Sequence, residues 1–499
     1  MVLWRPDTDY QPPAVLGGGA IGLAERIALI SLRPGSVLST GLFTLHGVKL
    51  LPPRAMLTDE IYRALLAMDQ SEFILARDLH DLATIVDLAP SHVPPPGSVA
   101  PADLLTVGGM MALEPNQIVE QHHADALQLG AFAPAAEVQV ESTSASGAAA
   151  VRTAMLGVLD EVVASRQRVW QAMPKSLPPT GEELQPEGGM RPDWLLPGQL
   201  AALRAERVTQ LRWLLAMLVA GLPVDPSDPQ LMVDELIDLC CRHPFRFAEL
   251  AACNSSRADY LPDHLWSTCA LSVGIAVRLK WPRQWARNAG LAGLFADAGM
   301  AMLPTDLRLA ARPLSDEETT RVRRHVSHSV LMLDCVLGVD EQIAIAVAQH
   351  HEREGGSGYP TQTPGRGIAP LAKLVAVADT FAALTARRPH REPMLGYDAM
   401  QEMIRLTSEG QFERKYLRAM VELCGLFPVG SYVRLSDSTE ALVVGADPVK
   451  VDRPVVRRIG APDGEVISLA ALEPAELFVL EGIPAPAGTG ADAAAKLAA

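Results

Sequence analysis

From Leu231 to Leu426 the apolar residues recur at helical spacing almost without a break. The pattern returns in 231–253, 264–280, 286–298, 315–337, 339–351, 370–387 and 395–410. Residues three and four apart share one face of a helix, so this stretch predicts a body of packed helices. Ser315 with Glu318 three residues on predicts a capping box at one helix start. After Phe427-Pro428 the period changes to two. Tyr432–Leu435, Ala441–Val444 and Pro454–Val456 predict short strands, a small β appendage over 427–484.

The stretch ahead of the helices reads differently. Apolar runs at Ile27–Leu32 and Leu42–Leu51 are broken by Pro34-Gly35 and Gly47, which predicts strands and turns. Thr58 predicts a helix N-cap, with Asp59 and Glu60 where the helix dipole favours them and the helix running to Met68. An α/β module is therefore expected over 26–135, preceded by a flexible N-terminus at 1–25. A helical connector is expected over 145–225. It would comprise a helix from Ala148 to Met173, a Pro-rich loop from Pro174 to Gly198 and a helix from Gln199 to Leu222, preceded by a linker at 141–147. Leu200, Leu203, Leu211, Leu214 and Leu218 form a stripe on the last helix, fit for core packing or for a homodimer. The tail at 485–499 is expected to be disordered. The fold class is thus multidomain and mainly α, with a small N-terminal α/β module and a small C-terminal β appendage.

At 499 residues the chain has room for about three domains. A net charge of −15 argues against a surface that coats nucleic-acid polymers, though not against a local anion pocket. Six cysteines with no CxxC pair argue against a disulfide framework or a thiolate zinc site and predict small buried hydrophobes in a reducing cytoplasm. Met1 to Pro13 shows no signal-peptide pattern, and the apolar run Leu214 to Val224 is shorter than a membrane span requires. A soluble cytoplasmic protein is expected.

The histidines carry the chemistry. His350 and His351 are adjacent at a predicted helix end, followed by Glu352, Glu354, Gly355-Gly356-Ser357-Gly358 and Tyr359-Pro360. Imidazoles and carboxylates suit divalent transition metals, and glycines let a loop approach a ligand closely. Asp379 sits in an otherwise apolar helix from Leu371, where burial without a partner is costly. A metal would stabilise it.

With these residues in view, the segment 226–426 resembles the HD-GYP domain, a helical metal-dependent phosphohydrolase family that cleaves cyclic di-GMP. Tyr260 to His264 resembles the family's upstream histidine element. Arg324-His325-Val326 matches its middle histidine, and His350-His351-Glu352 through Gly358-Tyr359-Pro360 its signature loop. Ile368 to Leu371 and Val377 to Thr385 match the final aspartate helix. Arg388-Pro389-His390-Arg391 matches the basic pair that holds phosphates in the family. Pro428 to Leu435 resembles a β appendage that often follows such domains, and residues 31–75 resemble, more weakly, a module that sometimes precedes them.

The resemblance implies one or two divalent cations, with iron or manganese as the metal and cyclic di-GMP as the partner in bacterial signalling. It implies Asp297 as the catalytic, metal-bridging residue, and His264, Asp297, His325, His350, His351 and Asp379 as metal ligands. Gly358, Tyr359, Pro360, Arg388 and Arg391 would contact substrate. One departure stands out. The family's His-Asp pair reads Ala296-Asp297 here, and its lysine beyond the glycine reads Met300. Phosphodiester hydrolysis uses two cations about 3.5–4 Å apart. Asp297, His325, His350 and His351 could hold one; His264 and Asp379 are left for the other, a ligand short. Impaired turnover is expected. The rival readings are a cyclic di-GMP sensor or protein-interaction module without turnover, and a helical scaffold with one structural metal.

His328, three residues after His325, either replaces the missing imidazole or is a solvated surface residue. Tyr359 either stacks on a base or closes the turn. Arg388 and Arg391 fit a phosphate clamp. His122-His123 reads as a surface pair, and Glu352 and Glu354 read as solvated, with support of the ligand histidines left open for Glu352.

Overall fold

A computed structural model describes residues 15–16, most of 24–134, parts of 158–184, and 197–484 except 253–259, 387–392, 448, 461–465 and 474–475. The expectations for most of the N-terminus, the linker at 141–147, the start of the helix from Ala148, most of the Pro-rich loop, Cys253, Arg388, Arg391 and the tail fall outside the described residues. The chain divides into two compact units, Met1–Val169 with Ala216–Leu222, and Trp170–Leu215 with Pro223–Ala499.

In the first unit the runs around Ile27 and Leu42 form an antiparallel sheet. Its order is Glu25–Ala28, Glu72–Ala76, Gly41–Phe43, Lys49–Leu51. Thr58 caps the helix Asp59–Leu66, its hydroxyl accepting from the Ile61 N–H at 3.2 Å. A second antiparallel sheet has the order Leu88–Pro90, Ala131–Pro134, Leu104–Thr106, Met111–Leu113. These strands have three or four residues each, too few for a period-two pattern to stand out.

The surface reading of His122 and His123 is corrected here. Both lie in the helix Gln121–Gln128, which packs on the strands Leu104–Thr106 and Met111–Leu113, and they are only 4% and 2% exposed. Local bonding satisfies polarity that the sequence alone assigns to water. His123 Nδ1 accepts from the Glu120 N–H at 3.2 Å, and the two rings lie 4.1 Å apart.

The second unit is the helical body with the appendage. Five helices carry the site: α1 (Tyr260–Arg278), α2 (Arg283–Phe295), α3 (His325–Leu333), α4 (Glu341–Gln349) and α5 (Pro370–Thr385). Helix α1 is buried at every residue from Leu261 to Val277. It packs against α2, α5 and the helices Ser227–Arg242, Pro244–Ala252 and Arg414–Cys424. A helix enclosed on all sides must pair its polar groups internally. Asp263 does so with the buried Arg204, from the helix Pro197–Ala220. Arg204 Nε donates to Asp263 Oδ1 at 2.9 Å, Nη2 to Ser267 Oγ at 3.0 Å and Nη1 to the Leu250 carbonyl at 2.9 Å. On that helix Leu200, Leu211 and Leu218 are buried, while Leu203 and Leu214 are half-buried.

The appendage is a five-stranded antiparallel sheet. Its order is Val466–Ser468, Val455–Arg458, Glu440–Gly445, Tyr432–Leu435, Val479–Ile483. Val433, Leu435, Ala441, Val443 and Val456 share one core with Phe427 and with Ala248 of the helix Pro244–Ala252. The sheet therefore packs on the helical body.

Candidate metal centre

Helix α2 ends at Phe295, and Asp297 opens a tight turn over Ala298–Met302. Ser329 of α3 fixes this turn. Its hydroxyl donates to the Ala296 carbonyl at 2.7 Å and accepts from the Gly299 N–H at 2.8 Å. A Cβ at Gly299 would lie 2.1 Å from the His325 carbonyl oxygen, so only glycine lets turn and helix approach so closely.

Four further elements bring ligands to Asp297. His325 opens α3, His350 and His351 follow α4, Asp379 lies in α5 and His264 in α1. Two groups result: Asp297, His325, His350 and His351, and His264, Asp297 and Asp379, each with ligand atoms within 4.8 Å of one another. Asp297 belongs to both. Its Oδ1 lies 3.1 Å from His325 Nε2 and 3.5 Å from His350 Nε2. Its Oδ2 lies 3.0 Å from His264 Nε2, which is also 2.9 Å from Asp379 Oδ1.

The donor set fits divalent cations. His325 Nδ1 donates to the Val322 carbonyl and His350 Nδ1 to the Val347 carbonyl, both at 2.7 Å. A carbonyl can only accept, so these bonds fix the tautomer and turn a bare Nε2 lone pair into the cluster. His350 Nε2 and Asp297 Oδ1 are buried without a hydrogen-bond partner among the described residues. Although they are close together, they are not aligned as donor and acceptor. Buried polar atoms are rarely left so, and a cation between them would satisfy both.

The charges agree. Burial would push the Asp297 carboxyl up, but the charge of the neighbouring His325 and the hydrogen bond with His264 hold it well below the usual range. Burial disfavours a charged His264, yet its bonds to Asp297 and Asp379 raise it to about 10. Burial and the neighbours His350 and His325 hold His351 well below the ordinary imidazole value. A depressed His351 is a bare base, which a ligand must be.

Other residues distribute as follows. Ala296 is buried and brings no ligand. His328 is half-buried and belongs to neither group, which corrects both readings of it. It packs beside Gly299, where an added Cβ would come within 2.7 Å of His328 Cβ. Burial, then the charges of His325 and Arg324, lower it to about 4. Tyr359 stacks on His351, with ring centroids 4.5 Å apart and planes 29° apart, and the Arg323 guanidinium lies 4.9 Å over the tyrosine ring. The Gly358 position passes 2.4 Å from the His351 carbonyl oxygen when a Cβ is added, so the loop needs glycine there.

The solvated reading of Glu352 is corrected. It is 2% exposed and accepts from the Thr361 N–H and hydroxyl, each at 2.7 Å, and from the Thr363 N–H at 2.9 Å. The loop after the histidines folds back on this carboxylate, which removes it from water. Glu354, half-buried, pairs with Lys373 at 3.0 Å. Ser329 also escapes a motif reading, although it lies four residues after His325 and so on the same helix face.

Among known families, the one described as an HD domain matches residues 235–415. A cyclic di-GMP phosphodiesterase of Pseudomonas aeruginosa is 32% identical over 226 residues, 45% of this chain and 53% of that protein. The segment matches the HD domain family. Two further relatives are similar to part of this chain. The 3′3′-cGAMP-specific phosphodiesterase 1 of Vibrio cholerae is 31% identical over 166 residues, covering 33% of this chain and 38% of its own. A cyclic di-GMP phosphodiesterase of Thermotoga maritima is 29% identical over 143 residues, covering 28% and 38%. The chain thus spans about half the length of the first relative and less of the others. No described helix is long and apolar enough to cross a membrane.

Proposed function

We propose that the protein is a metal-dependent phosphodiester hydrolase acting on cyclic di-GMP in cytoplasmic signalling, with turnover limited by Ala296. The observation that carries this reading is the buried group of Asp297, His325, His350 and His351, sharing Asp297 with His264 and Asp379. When bound, divalent cations, iron or manganese, supply the charge that activates water and stabilises the phosphoryl transition state. His325, His350 and His351 would hold one ion at Nε2, and Asp297 would bridge to a second between His264 and Asp379. Backbone bonds at Nδ1 would keep His325 and His350 oriented. Attack of water on phosphorus would break one P–O bond, leaving a 3′-hydroxyl and a 5′-phosphate.

The second reading is a cyclic di-GMP sensor without turnover. It is favoured by one fact: the group of His264, Asp297 and Asp379 has three members, and the position beside it is a buried alanine. Loading the protein with manganese or iron and measuring both bound metal and cyclic di-GMP cleavage separates the two. Cleavage lost in Asp297→Ala supports the enzyme. Binding without cleavage supports the sensor, and neither binding nor cleavage sinks both.

A further inference from the structure

The groups facing the metal centre differ in how fully the protein uses them. Arg353 is committed to structure: its Nη1 donates to the His350 and Glu352 carbonyls at 3.1 and 3.0 Å, and its guanidinium covers Phe412 at 5.0 Å. Arg323 is not. It ends the helix Asp316–Arg323, two residues before His325, and it is exposed. No carboxylate among the described residues pairs with it. Its contact is with Tyr359, whose ring also stacks on His351 and meets His325 edge-on at 6.4 Å. A guanidinium held over a ring by its positive charge leaves N–H groups free to bind a phosphate bidentately. Arg323 therefore stands at the mouth of the metal centre, held in orientation, with its donors unspent.

The chain carries a net charge of −15, and a cyclic dinucleotide is a dianion. Entry of such a ligand depends on local positive charge. We propose that Arg323 is a substrate-binding residue that takes a phosphate of the cyclic dinucleotide, the phosphate not engaged by the metal centre. The proposal rests on the cyclic dinucleotide reading of the site. Arg323 acts on binding and not on bond cleavage.

The test uses the full-length, metal-loaded protein and fluorescently labelled cyclic di-GMP, with Kd as the primary readout because it needs no turnover. Arg323→Ala is expected to weaken binding about tenfold, with metal content unchanged and Arg323→Lys intermediate. Where turnover is measurable, KM rises while kcat holds, and cleavage of bis(p-nitrophenyl) phosphate, which carries one phosphate, is unaffected. An unchanged Kd at full metal content overturns the proposal alone. So does a parallel loss of metal, which would show that Arg323 acts only by holding Tyr359 against His351. If the metal-loaded natural protein binds no cyclic di-GMP, the reading of the site falls first, and Arg323 with it.

Discussion

His325 Nε2 and His351 Nε2 lie 3.0 Å apart, the first at the start of one helix and the second just past the end of another. Two nitrogens each about 2.1 Å from one ion, at right angles, would show about this separation. The group around them has four members and the group of His264, Asp297 and Asp379 has three. The natural protein should therefore retain about one tightly held ion per chain after dialysis. Elemental analysis checks this, and His351→Ala should lose most of that ion.

Ala296 stands where the resemblance to HD-GYP domains places a histidine ligand. Ala296→His is expected to add a second ion and to raise cyclic di-GMP cleavage at least tenfold, since even losses around metal ligands cost 10–100-fold. Metal content and rate should rise together. A second ion without a faster rate would show that something other than the missing imidazole limits turnover.

Glu352 receives three hydrogen bonds from the loop that follows the ligand histidines. Glu352→Ala leaves the Thr361 and Thr363 N–H groups without their acceptor, the second of them buried, a loss of about 1–3 kcal/mol. Thermal unfolding should show a lower midpoint. Hydrogen exchange at Thr361 and Thr363 should quicken more than in the core of α1. Uniform quickening across both would count against a local role.

Ser329 bridges the turn that presents Asp297. Ser329→Ala removes both of its bonds and should cost about 1–3 kcal/mol. It should also weaken metal retention, because Asp297 belongs to both ligand groups. Ser329→Thr, which keeps the hydroxyl, should restore metal retention more than stability, as its extra methyl must fit a fully buried site.

The helical body and the period-two strands were legible because long amphipathic repeats and alternating runs each leave a direct trace in sequence. Two of the appendage strands, Val466–Ser468 and Val479–Ile483, were not, because one is very short and the other exposes residues on both faces. His264, Asp297, His325, His350, His351 and Asp379 could be named in advance because each lies in a motif. Their meeting depends on packing among five elements that no local pattern reveals. Glu352 and His123 escape a side-chain pattern for one reason: each accepts from backbone N–H groups, which such a pattern does not report. Arg323 drew no notice because its importance lies in what it does not pair with.

Arg204 gives the boundary of the helical body a physical meaning. The sequence pattern alone would cut the chain near residue 226, ahead of the helix Ser227–Arg242. A fragment begun there would carry Asp263 into the centre of the fold without its guanidinium, next to His264. Breaking a buried ion pair by removing one partner costs about 3–5 kcal/mol, a large share of the stability of a typical domain. The smallest piece able to stand alone as a metalloprotein must therefore begin upstream of Arg204, and the connecting helix is a structural member of the helical body as well as a link to it.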